Sequence, residues 1–140
     1  RVIEQRVGPI MPFFQREGEG AFRKVEAQVL DELSSGPDAV IATGGGTPCE
    51  GENLEHMKAA GTVVWLDVPL DALMPRIERS GGDRPLLFGL KGEQLRQRVL
   101  ELLEPRIPVY AKAHVTMRAD LSPPQVAARI VNALNERQAR

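Results

Sequence analysis

The sequence predicts an α/β fold in which a parallel sheet is covered by helices on both faces. Two observations carry that expectation. Three short runs rich in β-branched residues stand out, at 39–43 (AVIAT), 62–66 (TVVWL) and 114–117 (HVTM), and the first two lack the polar alternation of a sheet with one wet face. Apolar residues recur at helical spacing between and around these runs. Strands therefore alternate with helices, the pattern of βαβ units joined by right-handed crossovers.

The elements follow in order. Arg1 already lies inside a helical pattern. Phe22, Val25, Val29 and Leu33 then mark a helix face until Gly36-Pro37 ends it. Residues 53–60 read as a short helix ahead of Gly61. Leu70, Leu73, Met74 and Ile77 mark the next, with Pro75 predicting a kink or a later start. Leu95, Val99, Leu102 and Leu103 mark another. The last helix has Ser122 as N-cap and Pro123 just inside, followed by Val126, Ile130 and Leu134. Residues 80–89 (SGGDRPLLFG) place glycines at both ends of an apolar stretch. That composition suits a mobile lid, here bounded as 81–90, and equally an ordered loop that packs Leu86 and Leu87 on the core.

At 140 residues with 42% hydrophobic content, the chain reads as one domain, 1–140, with one core. Its 18 basic and 19 acidic residues leave a formal net charge of -1, so no general attraction to nucleic acid or an anionic membrane is expected. Any anionic ligand must meet a local cluster. Lysine occurs only at 24, 58, 91 and 112, and the other basic residues are arginines, whose planar fork suits carboxylate and phosphate. The single Cys49 excludes an internal disulfide and fits a reducing cytoplasm. His56 and His114 give no zinc-ligand spacing. With no apolar run of membrane-spanning length and no signal-peptide pattern, the expectation is a cytoplasmic protein, and the composition is compatible with a monomer.

The stretch with most chemical meaning is Thr43-Gly44-Gly45-Gly46, at the carboxyl end of the first expected strand. Ligands of parallel sheets bind beyond such ends. Three glycines there allow either a tight connection or a turn whose backbone N–H groups face a ligand. Arg23 and Glu26, at i and i+3, share a helix face. Arg106 lies between Pro105 and Pro108, which restrict the backbone that carries its guanidinium. Cys49 has no activating partner nearby in sequence and reads as a small packed residue.

In order, GE-x-x-FR-x-x-E (18–26), TGGG (43–46), RPLL (84–87) and R-x-P-x-Y (106–110) resemble the shikimate kinases. The resemblance runs nearly end to end. It implies a three-layer P-loop kinase fold and transfer of the γ-phosphoryl group of ATP, with Mg²⁺, to the 3-hydroxyl of shikimate in chorismate and aromatic amino-acid biosynthesis. On the matching positions, Arg23 and Arg106 would clamp the shikimate carboxylate, and Glu26 would hold Arg23. Backbone of Gly44, Gly45 and Gly46 would line the same pocket, with Ile10, Phe14 and Phe22 as its apolar wall. Arg84 would reach the phosphates from the lid, and Arg79 would lie against adenine. Two guanidinium forks make chemical sense for a small anion, because charge-assisted hydrogen bonds offset its desolvation.

The phosphate-cradling G-x-x-x-x-G-K-[S/T] motif is absent from these residues. In the family it precedes a strand ending in D-x-D, whose second aspartate would align immediately before Arg1, and its own strand lies centrally, between the runs at 39–43 and 62–66. The expectation is that about one further βαβ unit, on the order of 30 residues, belongs ahead of Arg1 and carries the metal ligands. Without it two inner edges would be unpaired, and residues 1–140 alone are expected neither to fold stably nor to bind ATP. Two other readings remain open from the sequence: a related P-loop kinase for another small hydroxy acid such as gluconate, and a non-catalytic carboxylate-binding module.

Overall fold

In the computed structural model, residues 1–80 and 84–140 are described. The order is α1 (Val2–Val7), α2 (Ile10–Ser34), a 3-10 turn (Thr47–Cys49), α3 (Asn53–Ala60), β1 (Val64–Asp67), α4 (Leu70–Arg79), a second 3-10 turn (Pro85–Leu87), α5 (Gly92–Leu103), α6 (Ile107–Tyr110), β2 (Val115–Arg118) and α7 (Pro123–Gln138).

The α/β class and the parallel pairing are as the sequence implied. β1 and β2 run parallel, in register from Val64 opposite Val115 to Asp67 opposite Arg118. The ladder is prolonged at its start by a side chain, since the Val63 N–H donates to His114 Nδ1 at 3.0 Å. Burial, with Lys58 and Arg137 nearby, pushes the His114 pKa down and favours the neutral ring that can accept this bond.

One expected strand is absent. Residues 39–43 form no ladder, Val40 is fully exposed (103%) and Ile41 is 38% exposed. The run has strand composition, but a strand is made by its neighbours. Between Thr43-Gly44-Gly45 and β1 lies a cavity of about 300 Å³ instead of a hydrogen-bonding partner. Leu66, on the β1 side of the gap, is 50% exposed. The run that reads as covered on both faces is therefore uncovered here.

The helices match their patterns closely. α3 spans the expected residues, α4 begins at Leu70 with Pro75 inside it, and α7 starts with the Ser122 cap, closed into a capping box by Gln125. α2 is longer than its apolar stripe suggests because it contains a break: Gly18 stands at φ 83°, ψ 172°, a left-handed conformation that suits glycine. The break separates an N-terminal stretch with Ile10 and Phe14 from the stretch carrying Phe22, Arg23 and Glu26. α1 is tied to the far end of α2 by a bidentate pair between Arg6 and Glu32.

Buried apolar residues gather in one cluster of Met74 and Ile77 from α4, Leu87 from the second 3-10 turn, and Leu95 and Val99 from α5. Of the segment expected as a lid at 81–90, residues 81–83 lie outside those described, and Leu87 packs into this cluster. Phe22, Val29 and Leu30 of α2 are also buried, as is Leu54 of α3. Among the described residues no helix is long and apolar enough to cross a membrane.

Candidate functional site

The glycine run leads into the first 3-10 turn, and that turn packs against the second half of α2 and against α6. Helical spacing sets what α2 offers: Glu19, Arg23 and Glu26 stand at i-4, i and i+3 on one face. Arg23 is only 12% exposed along its side chain. Its Nη1 donates to Glu26 Oε1 at 2.6 Å and its Nη2 to Glu19 Oε1 at 3.1 Å. Burial lowers the Arg23 pKa, but the bonds to Glu26 and Glu19 outweigh it and the net shift is upward. A permanent, largely desolvated cation results.

Each glycine of the run has a specific neighbour in the place of its missing side chain. A Cβ on Gly46 would lie 2.5 Å from Arg23 Nη2 and 2.7 Å from its Cζ. On Gly45 it would meet the Tyr110 hydroxyl at 3.0 Å and Arg106 Nη1 at 3.3 Å, and on Gly44 it would meet Glu26 Oε2 at 3.2 Å. None of the three has positive φ. The run is glycine because polar side chains occupy the space, and backbone conformation does not demand it.

α6 supplies the opposite side. Arg106 is its N-cap and Tyr110 its last residue, so the two stand one turn apart on the same face. The Tyr110 hydroxyl donates to the Gly45 carbonyl, and its ring packs against Trp65 of β1 at 5.8 Å between centroids. Burial raises the Tyr110 pKa, against the opposing charge of Arg106. Cys49 Sγ sits 3.9 Å from the same Gly45 carbonyl, its pKa raised by burial although Arg106 and Arg23 pull it down. Both thiol and phenol thus report two guanidinium groups nearby.

Arg23, Glu26, Gly44, Gly45, Gly46 and Arg106 are therefore brought together. Phe22 joins them, with the Arg23 guanidinium 5.6 Å from its ring centroid and the Phe14 ring tilted against it at 5.7 Å between centroids. Ile10 opens α2 and is half-buried. Two arginines stand elsewhere. Arg84 caps the second 3-10 turn and lines a separate cavity of about 510 Å³ with Ile77, Phe88 and Lys91. Arg79, exposed in the last turn of α4, donates from Nε to the Pro75 carbonyl at 3.1 Å.

Several residues here had not been singled out as site residues. Thr47 donates its hydroxyl to Glu26 Oε2 at 2.9 Å, and Asn53 Nδ2 donates to the Thr47 carbonyl at 2.9 Å. Glu50 Oε1 stands 3.7 Å from Arg23 Nε. The available signal for Tyr110 was its i+4 spacing from Arg106. For Thr47 and Asn53 it was no more than polarity just after a glycine run.

One donor in this arrangement is unfilled. Arg23 Nε is buried and, among the described residues, is the buried side-chain polar atom without a hydrogen-bond partner. A buried unsatisfied donor costs about 1–3 kcal/mol, more when charged. Arg23 is already paired with Glu19, Glu26 and, at 3.7 Å from Nε, Glu50, so what the site offers an incoming anion is the Nε–H, which makes no hydrogen bond among the described residues, with Arg106 on the same turn.

Fold and site together define an α/β protein whose glycine turn is walled by two arginines. The chain belongs to the shikimate kinase family: the family model described as shikimate kinase matches residues 1–135. It is 42% identical over 111 residues to a shikimate kinase of Parabacteroides distasonis, covering 79% of this chain and 64% of that protein. It is 41% identical to one of Gloeobacter violaceus, covering 99% of this chain and 75% of the relative. The solved structure of a shikimate kinase from Acinetobacter baumannii in complex with shikimate superposes with a TM-score of 0.89 at 34% identity, covering 99% of this chain and 77% of that one. The chain thus spans less than two thirds of the Parabacteroides protein.

Proposed function

We propose that these residues form the acceptor side of a shikimate kinase, which moves the γ-phosphoryl group of ATP to the 3-hydroxyl of shikimate in chorismate and aromatic amino-acid biosynthesis, in the cytoplasm. The observation that carries the reading is the buried Arg23 Nε, which has no hydrogen-bond partner among the described residues and lies 3.7 Å from Glu50 Oε1, on the glycine turn that Arg106 also approaches. The acceptor carboxylate would bond Arg23 Nε and Arg106, backed by Gly45 and Gly46, with Phe14, Phe22 and Ile10 against its ring. The shikimate complex formed by the Acinetobacter relative supports the choice of acceptor.

The residues described include neither the loop that cradles the nucleotide's phosphates nor a set of ligands for its metal. No group of three or more His, Cys, Asp or Glu side chains could hold a metal ion among them, and the sequence has no phosphate-cradling lysine loop. We assign that half to chain beyond these residues, with its strand lying in the cavity between Thr43 and β1, where it would cover Val40, Ile41 and Leu66. Arg84 and Arg79 are assigned to the phosphates and to adenine.

The test is shikimate-dependent formation of ADP and shikimate 3-phosphate by the full-length protein with ATP and Mg²⁺. Turnover that requires shikimate supports the reading. Shikimate binding without turnover supports a carboxylate-binding module, and turnover on gluconate but not shikimate supports the related kinase.

A further inference from the structure

We propose that Thr47 and Asn53 are positioning residues for the acceptor site, acting on Arg23 through Glu26. The proposal rests on the reading of Arg23 as the carboxylate-binding group. Neither residue hydrogen-bonds to Arg23. Among the described residues the buried polar side chains are Glu26, Thr47 and Asn53, at 5%, 4% and 7% exposure, and they form one connected chain. Asn53, the first residue of α3, fixes the 3-10 turn through the Thr47 carbonyl. Thr47 in turn fixes Glu26 through Oε2, and Glu26 Oε1 holds Arg23 Nη1.

Burial makes this chain consequential. A carboxylate out of water needs its oxygens satisfied, and Glu26 has one charged donor and one hydroxyl for its two oxygens. Removing the Thr47 hydroxyl leaves Oε2 without its donor and frees the carboxylate to rotate about its last torsion. Arg23 has little tolerance for such movement, because its guanidinium already occupies the Cβ space of Gly46. The Nε–H that would meet the acceptor is then misaimed, while the nucleotide half of the protein is untouched. The chain also accounts for polar residues at the buried positions 47 and 53, where apolar ones would bury more readily.

Steady-state kinetics of the full-length protein test the relay, using shikimate and ATP as the varied substrates. Thr47→Val should raise the shikimate KM about tenfold, the size of one lost hydrogen bond to a charged group, with the ATP KM unchanged. Thr47→Ser should restore it, and Asn53→Ser should give a smaller rise of the same kind, which carries the test if Thr47→Val fails to fold. In a Glu26→Gln background the Thr47→Val effect should shrink to less than about twofold, since both act through one carboxylate. An unchanged shikimate KM in folded Thr47→Val, an equal rise in both KM values, or full additivity with Glu26→Gln would overturn the relay. Arg23→Ala separates the two levels: if it too leaves shikimate binding intact, the clamp reading fails, and if it alone weakens binding, only the relay fails.

Discussion

Gly46 and Arg23 share one volume: the Cβ that any other residue would place at 46 lies 2.5 Å from Arg23 Nη2. The guanidinium can lie flat against the turn only because position 46 is bare. Gly46→Ala should therefore push Arg23 off Glu26 and weaken shikimate binding by about 1.5–3 kcal/mol, the range for a hydrogen bond to a charged group. Gly45→Ala, with its 3.0 Å contact to a hydroxyl, should cost less. Calorimetric titration with shikimate checks both, and equal affinities in Gly46→Ala and the native protein would contradict the packing.

Tyr110 links this turn to the sheet, and its ionisation should be visible in stability. Its folded pKa is raised by burial above the ordinary 10.0, so the neutral phenol is favoured in the folded state. The stabilisation is fully present below pH 10.0 and is lost as pH rises through the higher folded value. Tyr110→Phe should remove that alkaline step and lower stability at neutral pH by about 0.5–1.5 kcal/mol, the net worth of its bond to Gly45. Thermal unfolding of both proteins between neutral and alkaline pH reads this out.

Trp65, the single tryptophan, packs at a tilt against Tyr110 and so lies one contact from the glycine turn. Its emission should change on addition of shikimate and should respond less in Tyr110→Phe. A fluorescence titration that is silent in the native protein but accompanied by calorimetric binding would show that the turn is not coupled to β1.

Arg84 lies in a cavity apart from Arg23 and Arg106, and its expected role differs accordingly. Arg84→Ala should lower kcat by about tenfold to a hundredfold with the shikimate KM nearly unchanged, as for a group acting on charge that develops during transfer. A rise in shikimate KM with unaltered kcat would place Arg84 in the acceptor pocket instead.

Which parts of this were legible in the sequence follows from what each residue depends on. Helices were readable because capping and periodicity are local, as Ser122 with Gln125 and the 53–60 segment show. The run at 39–43 was misread as a strand because its composition describes a position between neighbours, and those neighbours are not beside it. The glycines at 18 and at 44–46 have different causes. Gly18 serves a left-handed backbone, whereas Gly44, Gly45 and Gly46 make room for Glu26, Tyr110, Arg106 and Arg23. The pairing of Arg23 with Glu26 followed from i, i+3 spacing. The Thr47 and Asn53 chain did not, because it joins α2 to the first 3-10 turn across 21 residues and that turn to α3 through Asn53, and no periodicity encodes such bonds.

The claim on which the rest depends is that Arg23 and Arg106 take a carboxylate. It is tested most directly by comparing the affinity of the full-length protein for shikimate and for its uncharged methyl ester, in the native protein and in Arg23→Ala and Arg106→Ala. The native protein should bind shikimate more tightly than the ester by about 2–5 kcal/mol, as for truncating one partner of a buried charge pair, and each arginine variant should lose most of that preference. A native protein that binds acid and ester alike, or arginine variants that keep the full preference, would contradict it.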